Sequence, residues 1–474
     1  MSPLPLSRPP PPPPHSAASA ASSRRLVRLS LTAARPRPRA AAGLRTWAIT
    51  VPFAKVCKSY ARVARMAETI SERRPRSRLG PPVGGHQAAL DGMRAVAALG
   101  VLLLHVAATT GIAFQDSATA WLLVRGDAGV AVFFLLSGLL LYRPWASALL
   151  RGSPGPHVGG YLARRALRVL PAYWVVVTVA LLFFSPQHTR SPWTWAQWFL
   201  MLPPYDPDPW WRGSGPEGLY QMWTLAVEAA FYVTLPLIAW AVARVAARGG
   251  AGPAVRARRA LLALGGLTAV SLLYLLFVYV PTWRPLAGTF VVRYWVWFCP
   301  GMMLAVVAAW ARAERGDGPV SRFCRTVAGS AVTCWVIAGL AYVIASTELT
   351  GPRVLGVDTF WTSFFRTVLY AVVALFTVAP LALGDGASTP VGRVLGGTVP
   401  AFLGRISYSV FLWHVFVIAV LYRTLGWEPR TGEFWPVLLI VCLITPAVAT
   451  VSYFAIEEPF RLAGRRLPRR RRAA

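Results

Sequence analysis

Long apolar segments recur along the chain from residue 90 onward, and they constrain its fold more than any other feature. Each is about twenty residues long, the length of an α-helix that crosses a bilayer core. A helix also satisfies its own backbone polar groups where no water is present. We therefore predict an all-α, polytopic membrane protein with about ten transmembrane helices, at residues 91–113, 127–146, 169–185, 223–244, 260–280, 288–311, 326–346, 361–383, 400–422 and 435–456.

The composition supports a membrane protein over a nucleic-acid-binding one. Only 14% of residues are charged, against about 25% in soluble domains, and the 20 tryptophans suit aromatic belts at membrane interfaces. The net charge of +31 comes mostly from arginines in the gaps between apolar runs, not from a basic folded module. We expect the lipid bilayer as a partner and no nucleic acid.

The arginines also predict the orientation. With a cytoplasmic N-terminus, alternate gaps between spans hold clusters of arginine, and the other gaps hold single ones. Cytoplasmic loops carry the excess of basic residues in membrane proteins. We predict a multi-pass protein of the cell membrane with both termini cytoplasmic.

The two ends of the chain differ from its centre. Residues 1–88 contain a proline run and many Ala/Arg stretches, so we predict a disordered basic region with no signal peptide, and Met66 is an alternative start. Residues 89–460 form the predicted transmembrane domain and 461–474 a basic cytoplasmic tail. The five cysteines are scattered, and the chain shows neither metal-ligand spacing nor a glycine-rich phosphate loop, so we expect no metal.

An arginine and a histidine lie inside the first predicted span. Ten residues separate Arg94 from His105, which places both on one helix face about 16 Å apart. An imidazole is a common general base, although a lone buried histidine equally suits an interhelical hydrogen bond. Arg94 is a candidate for ordering a site, or for snorkelling to lipid phosphates. Asp91 is a predicted helix N-cap.

Other polar residues fall inside later spans. Glu228 in the fourth span needs a cavity or a cationic partner, and we expect it to approach His105 in the outer half of the membrane. His414 in the ninth span is predicted at a similar depth. Ser137 and Gly138 form a small-residue pair, which favours close helix packing over a catalytic role for the serine.

Three arginines precede the third predicted span. Arg164, Arg165 and Arg168 occur at helical spacing in "YLARRALRVLPAYW", with Pro171 predicted early in the span. Guanidinium groups bind phosphates in a bidentate manner, so the cluster is a candidate phosphate site. Ordinary positive-inside charge explains it equally well.

These motifs, taken in order, resemble the acyltransferase-3 family. The resemblance includes the arginine–ten residues–histidine spacing, "GDAGVAVFFLLSGLLL", "RRALRVLPAYW", "MWTLAVEAAFY", "ISYSVFLWH" and "IEEPFR", over about residues 88–461. It implies an enzyme that moves acyl groups from acyl-CoA onto hydroxyls of sugars, polysaccharides, antibiotics or lipids. Ala131 departs from the aspartate of many members, and we expect no esterase-like domain after the last span. The resemblance therefore implies direct action on the acceptor, or a separate extracytoplasmic partner.

We accordingly expect an O-acyltransferase of the carbohydrate O-acetylation type. Acyl-CoA, with acetyl-CoA the leading donor, would be a substrate, with no permanently bound cofactor, and the acceptor would be a small molecule or glycan. His105 is the expected base and Arg94 orders the site, with Glu228 and His414 as further catalytic candidates. Arg164, Arg165 and Arg168 are the expected acyl-CoA-binding residues. The alternative is a transporter or flippase of a lipid-linked or glycosylated compound, since polar residues in spans suit both.

Overall fold

The computed structural model describes residues 87–314, 317–352, 356–385 and 389–466. The predicted disordered region, apart from residues 87 and 88, lies outside these ranges. The tail beyond residue 466 lies outside them as well. The proposed domain boundaries therefore stay predictions.

Helices dominate these residues, and no β-strand occurs among them. The helices are α1 Ala88–Thr110, α2 Ala118–Val124, α3 Ala128–Arg151, α4 Val158–Phe184, α5 Pro192–Phe199, α6 Met222–Ala246, α7 Pro253–Tyr279, α8 Trp295–Ala313, α9 Pro319–Gly329, α10 Ala331–Ala345, α11 Phe360–Leu383, α12 Pro390–Leu395, α13 Thr398–Leu425, α14 Phe434–Ser452 and α15 Glu458–Arg466. A π-helical turn, Tyr453–Glu457, joins α14 to α15.

The predicted all-α membrane fold is confirmed. Within the described ranges, nine helical segments are long and apolar enough to cross a membrane, judged by length and composition. The pair α9 and α10, bent by 66° at its break, makes ten if it counts as one span. Each predicted span corresponds to one of these segments.

Contacts between helix ends distinguish two ends of the bundle. At one end Arg143 donates to Gln87 (2.6 Å) and Arg256 donates to the carbonyl of Leu149 (3.3 Å). We call this the arginine end. At the other, the loop end, the amide of Arg430 donates to the carbonyl of Thr109 (2.7 Å). Which end faces the cytoplasm stays a prediction.

The third span begins earlier than predicted. Helix α4 starts at Val158 rather than near residue 169, so Arg164, Arg165 and Arg168 lie within the helix and Pro171 lies in its interior. Apolarity fails to mark this start because the first turns of α4 carry cationic side chains. A cavity and nearby carboxylates accommodate two of them, as shown below.

The predicted N-cap of the first span is also wrong. Helix α1 starts at Ala88 with Gln87 in the N-cap position, so Asp91 lies within the first turn. Its carboxylate accepts a hydrogen bond from Arg94 at 3.1 Å. A carboxylate in the first turn interacts favourably with the helix dipole, so an aspartate there is still typical of a helix start.

Two glycines allow the central helices to approach backbone to backbone. A Cβ atom at Gly138 of α3 would lie 2.1 Å from the carbonyl oxygen of Phe298 in α8. A Cβ atom at Gly404 of α13 would lie 1.8 Å from the carbonyl oxygen of Asp91 in α1. Small residues commonly permit such contacts between membrane helices. The contact of α1 with α13 brings together the two helices that carry the candidate histidines.

The orientation can be tested by cysteine labelling in intact cells. If the arginine end is cytoplasmic, an impermeant maleimide should label Asp208→Cys in the exposed loop 200–221. It should label Gly252→Cys, exposed between α6 and α7, only after the cells are permeabilised. The wild-type chain gives the background from its own cysteines, and the reverse labelling pattern would refute the predicted orientation.

Candidate active site

A cavity of about 210 Å³ lies between α1, α3, α4, α6 and α13. Three cationic side chains line it, and they come from two helices: Arg94 from α1, and Arg165 and Arg168 from α4. Ser137 and Glu228 contribute a hydroxyl and a carboxylate to the same wall. We call this space the arginine cavity. Five of the residues singled out from the sequence therefore meet at one place.

Ser137 and Glu228 form a direct pair on the wall of this cavity. The Ser137 hydroxyl donates a hydrogen bond of 2.5 Å to Oε1 of Glu228. Tyr232, one turn along α6, interacts with the same carboxylate. Ser137 therefore contacts a candidate carboxylate, whereas its neighbour Gly138 makes the close backbone contact. The sequence could not distinguish them because the rotation of α3 decides which residue faces the cavity.

Arg168 is surrounded by negative charge from three other helical segments. The carboxylates of Glu457, Glu228 and Asp91 each interact electrostatically with its guanidinium group. Glu457 is buried and accepts a hydrogen bond from Ser409 at 3.2 Å. It closes the π-helical turn between α14 and α15, and such turns often occur at functional sites. Sequence reasoning did not select Glu457, although the acidic pair in "IEEPFR" was the available signal.

The three arginines of α4 do not share one environment. Arg165 lines the cavity, and its Nε atom is buried without a hydrogen-bond partner within the described part of the chain. Arg164 lies instead beside Gly160 and Gly464, and it is not part of the cavity lining. The structure thus places two of the three near a space that could hold an anionic group.

A second polar group lies between α1 and α13. Nε2 of His414 lies 3.3 Å from Nδ1 of His105. Nδ1 of His105 also lies 2.8 Å from the carbonyl of Val101, and Nδ1 of His414 lies 2.8 Å from the carbonyl of Phe411. A carbonyl oxygen only accepts, so both Nδ1 atoms carry the proton in the neutral rings. The single Nδ1 proton of His105 is then shared between the carbonyl of Val101 and Nε2 of His414, and the lone pair on His105 Nε2 is left available.

The expected approach of His105 to Glu228 does not occur. Glu228 pairs with Ser137 beside the arginines, while His105 pairs with His414 and is not among the residues lining the arginine cavity. Positive charge in the cavity attracts the carboxylate, and the neutral imidazoles need only a hydrogen-bonding partner. Phe411 lies between the two groups, since it lines the cavity and its ring centroid is 5.8 Å from that of His414.

Among the described residues, no group of three or more His, Cys, Asp or Glu side chains is placed to hold a metal ion. The candidate site thus comprises an arginine cavity with a Ser–Glu pair, and a histidine pair next to Phe411.

Comparison with known families decides what kind of protein carries this site. The family profile described as "Acyltransferase domain" (Acyl_transf_3) matches residues 87–457. The chain belongs to the acyltransferase-3 family. This acyltransferase is thus a multi-pass membrane enzyme, and the matched region contains every candidate site residue. Family membership favours group transfer over the transport alternative.

Curated relatives agree with this assignment. The acyltransferase is 26% identical over 398 residues to "Nodulation protein 10" of Rhizobium leguminosarum bv. viciae, covering 79% of this chain and 93% of that protein. It is 24% identical over 399 residues to a "Putative O-acetyltransferase" of Staphylococcus aureus (strain COL), covering 79% of this chain and 57% of the relative. It is 25% identical over 418 residues to the "Putative peptidoglycan O-acetyltransferase YrhL" of Bacillus subtilis (strain 168), covering 79% and 55%.

The chain thus spans little more than half of the last two relatives. No solved structure matches it. The family makes this protein a membrane acyltransferase, and the last two relatives carry the names of O-acetyltransferases.

Proposed function

We propose that this O-acyltransferase of the cell membrane moves an acetyl or other short acyl group from acyl-CoA to a hydroxyl of a sugar, glycan, lipid or glycosylated natural product. The arginine cavity is the observation that carries the proposal, because it groups three guanidinium groups with a Ser–Glu pair inside the helix bundle. The relative named for peptidoglycan O-acetylation supports a glycan acceptor.

Arg165 and Arg168 would bind phosphate groups of CoA. A guanidinium offers two parallel donors that match phosphate oxygens, and such charge-assisted bonds are stronger than neutral ones. The unpartnered Nε of Arg165 leaves a donor free for a ligand. At about 210 Å³ the arginine cavity is too small for a whole CoA molecule, so it would hold only part of the donor.

His105 would act as the general base. Its Nε2 lone pair would take the proton of the acceptor hydroxyl while the hydroxyl oxygen attacks the thioester carbonyl carbon. The C–S bond then breaks, the proton passes to the CoA thiolate, and an O-acyl ester and free CoA result. His414 would hold the imidazole in this tautomer by accepting from Nδ1.

Arg94 and Glu228 would order the donor side of the reaction. Arg94 is fixed by Asp91 and faces the cavity, so it would bind an anionic part of the donor. Glu228, fixed by Ser137, would balance the arginine charges when the site is empty. In this scheme the two groups of residues have separate tasks, donor binding in the cavity and proton transfer at the histidine pair.

Donor binding predicts a specific kinetic signature. The Arg165→Ala/Arg168→Ala double variant should raise the KM for acyl-CoA at least tenfold, since each lost charge-assisted contact is worth about 1.5–3 kcal/mol. The acceptor KM should change little. A matched control is Arg151→Ala/Arg244→Ala, which removes two exposed arginines from the same end of the bundle. Equal donor KM values in the two double variants would leave α4 with a topological role only.

A further inference from the structure

The loop end of the bundle contains a second and larger cavity, of about 710 Å³. Its walls come from residues 125–127 before α3, the loop 200–221 with the start of α6, the segment 279–297, and residues 356–370 around the start of α11. This volume falls within the ~300–1,000 Å³ typical of small-molecule sites. The residues that form it are not those of the donor site, and none was selected from the sequence. We call it the loop-end cavity.

Aromatic side chains separate the loop-end cavity from the arginine cavity. Tyr294 and Trp297 line the loop-end cavity, while Phe134 lines the arginine cavity. The ring centroid of Phe134 is 5.7 Å from that of Tyr294 and 6.1 Å from that of Trp297. Trp223 lines the loop-end cavity and the next residue, Thr224, lines the other. The two spaces therefore approach each other from opposite ends, with one layer of rings between them.

The charges around the loop-end cavity are balanced. Its lining holds the carboxylates Asp127, Asp206 and Asp358 and the guanidinium groups Arg125, Arg293 and Arg366.

Several of these charged groups already bond to other groups of the protein. Arg366 forms an ion pair with Asp358, and Tyr370 donates to Asp127. Arg125 donates to the carbonyls of Ala345 and Gly351, each at 2.9 Å. With equal numbers of positive and negative groups, the cavity offers no net attraction to an anion or a cation. This distinguishes it from the arginine cavity and favours an uncharged ligand.

One polar atom in this lining lacks a partner. Oδ1 of Asp358 is buried and accepts no hydrogen bond from any described residue. A buried acceptor without a partner is costly, so a donor from a ligand would be stabilised there. Trp283 lines the same cavity with about half of its side chain exposed (49%), which leaves an indole face for an incoming molecule. A ligand that suits both features has hydroxyl donors and an apolar ring face, and a sugar has both.

We propose that the loop-end cavity binds the acceptor, and that the acceptor is a short uncharged glycoside. The pyranose C–H face would pack on the aromatic walls, and the hydroxyls would donate to Asp358 and accept from arginine side chains. This inference rests on the proposed function and narrows its acceptor class. The acceptor hydroxyl would then come from the loop end, while the donor binds toward the arginine end.

Binding can be measured apart from catalysis. The purified full chain in detergent is heated with a panel of methyl glycosides of common hexoses, pentoses and N-acetylhexosamines, and the shift in Tm is recorded. At least one neutral glycoside should raise Tm, and its phosphorylated or amino counterpart should do so less. Trp283→Ala and Asp358→Asn should abolish the shift. The matched controls Trp361→Ala and Glu428→Gln alter exposed residues outside the cavity and should retain it.

Kinetics with the same variants separates this inference from the proposed function. Trp283→Ala and Asp358→Asn should raise the glycoside KM at least tenfold and leave the acetyl-CoA KM unchanged. Suppose that the wild-type chain turns over the donor but no neutral glycoside shifts its Tm. That result would overturn the loop-end site alone. Glycoside KM values in the two variants equal to those of the controls would have the same meaning. Failure of the wild-type chain to bind or turn over acyl-CoA would instead overturn the proposed function.

Discussion

His105→Gln should lower acyl transfer by about 10²–10⁴-fold, the range that a general base contributes. Glutamine keeps the approximate size and a hydrogen-bonding amide, so it can still donate to the carbonyl of Val101 and reach His414. It cannot take a proton from a hydroxyl near neutral pH. The substitution therefore removes the basic lone pair on Nε2 of the imidazole and keeps the other contacts. The measurement is kcat with saturating acetyl-CoA and the best available acceptor.

The structure provides an internal control for this variant. His105 does not line the arginine cavity, so His105→Gln should bind acetyl-CoA as tightly as the wild-type chain does. His414→Gln should cause a smaller loss and change the pH profile of kcat, because His414 acts through the orientation of His105. Near-normal turnover in His105→Gln would make the histidine pair a structural contact, and Glu228 would become the candidate base.

The fold could be predicted from the sequence because a bilayer imposes one length and one backbone geometry on each span. The late start predicted for the third span has a physical cause. Apolar runs mark where a helix lies in lipid, but α4 begins at Val158 within a charged segment whose arginines face a cavity and carboxylates. A local pattern of apolar residues cannot predict a helix start that depends on tertiary contacts.

Several polar residues selected from the sequence lie near one another in the structure, but the partner of each was not predicted. Arg94 and Glu228 were selected because ionisable groups in a span need partners, and Arg165 was selected as a phosphate ligand. All three line one cavity. Which partner each one meets depends on the rotation of helices that are far apart in sequence. For this reason Ser137 was assigned to packing and His105 was expected to meet Glu228. Glu457 was missed because the tenth predicted span ended at residue 456, so this carboxylate was not counted among the polar residues inside spans.

Gly404→Ala should be the most damaging of the methyl-sized changes in the bundle. The new Cβ atom would lie 1.8 Å from the carbonyl oxygen of Asp91 and 2.9 Å from its Cα atom. Both are backbone atoms, so no side-chain rotation can relieve the overlap, and α1 must move away from α13. We expect the free energy of unfolding to fall by about 3 kcal/mol, the upper end of ordinary overpacking costs. Thermal unfolding of the purified protein measures it.

The same displacement should impair catalysis in the molecules that stay folded. Helices α1 and α13 carry His105 and His414, whose 3.3 Å contact requires both helices in their present positions. A shift of about 1 Å at a reacting group can cost about 10²-fold in rate, so kcat should fall by that order. Gly339→Ala is the matched control: it adds the same methyl group at an exposed position of α10, where nothing lies within 4 Å. It should leave stability unchanged or raise it by up to about 1 kcal/mol, because alanine favours a helix over glycine. If both variants unfold and turn over alike, α1 and α13 do not meet backbone to backbone at Gly404, and the placement of the histidine pair loses its structural basis.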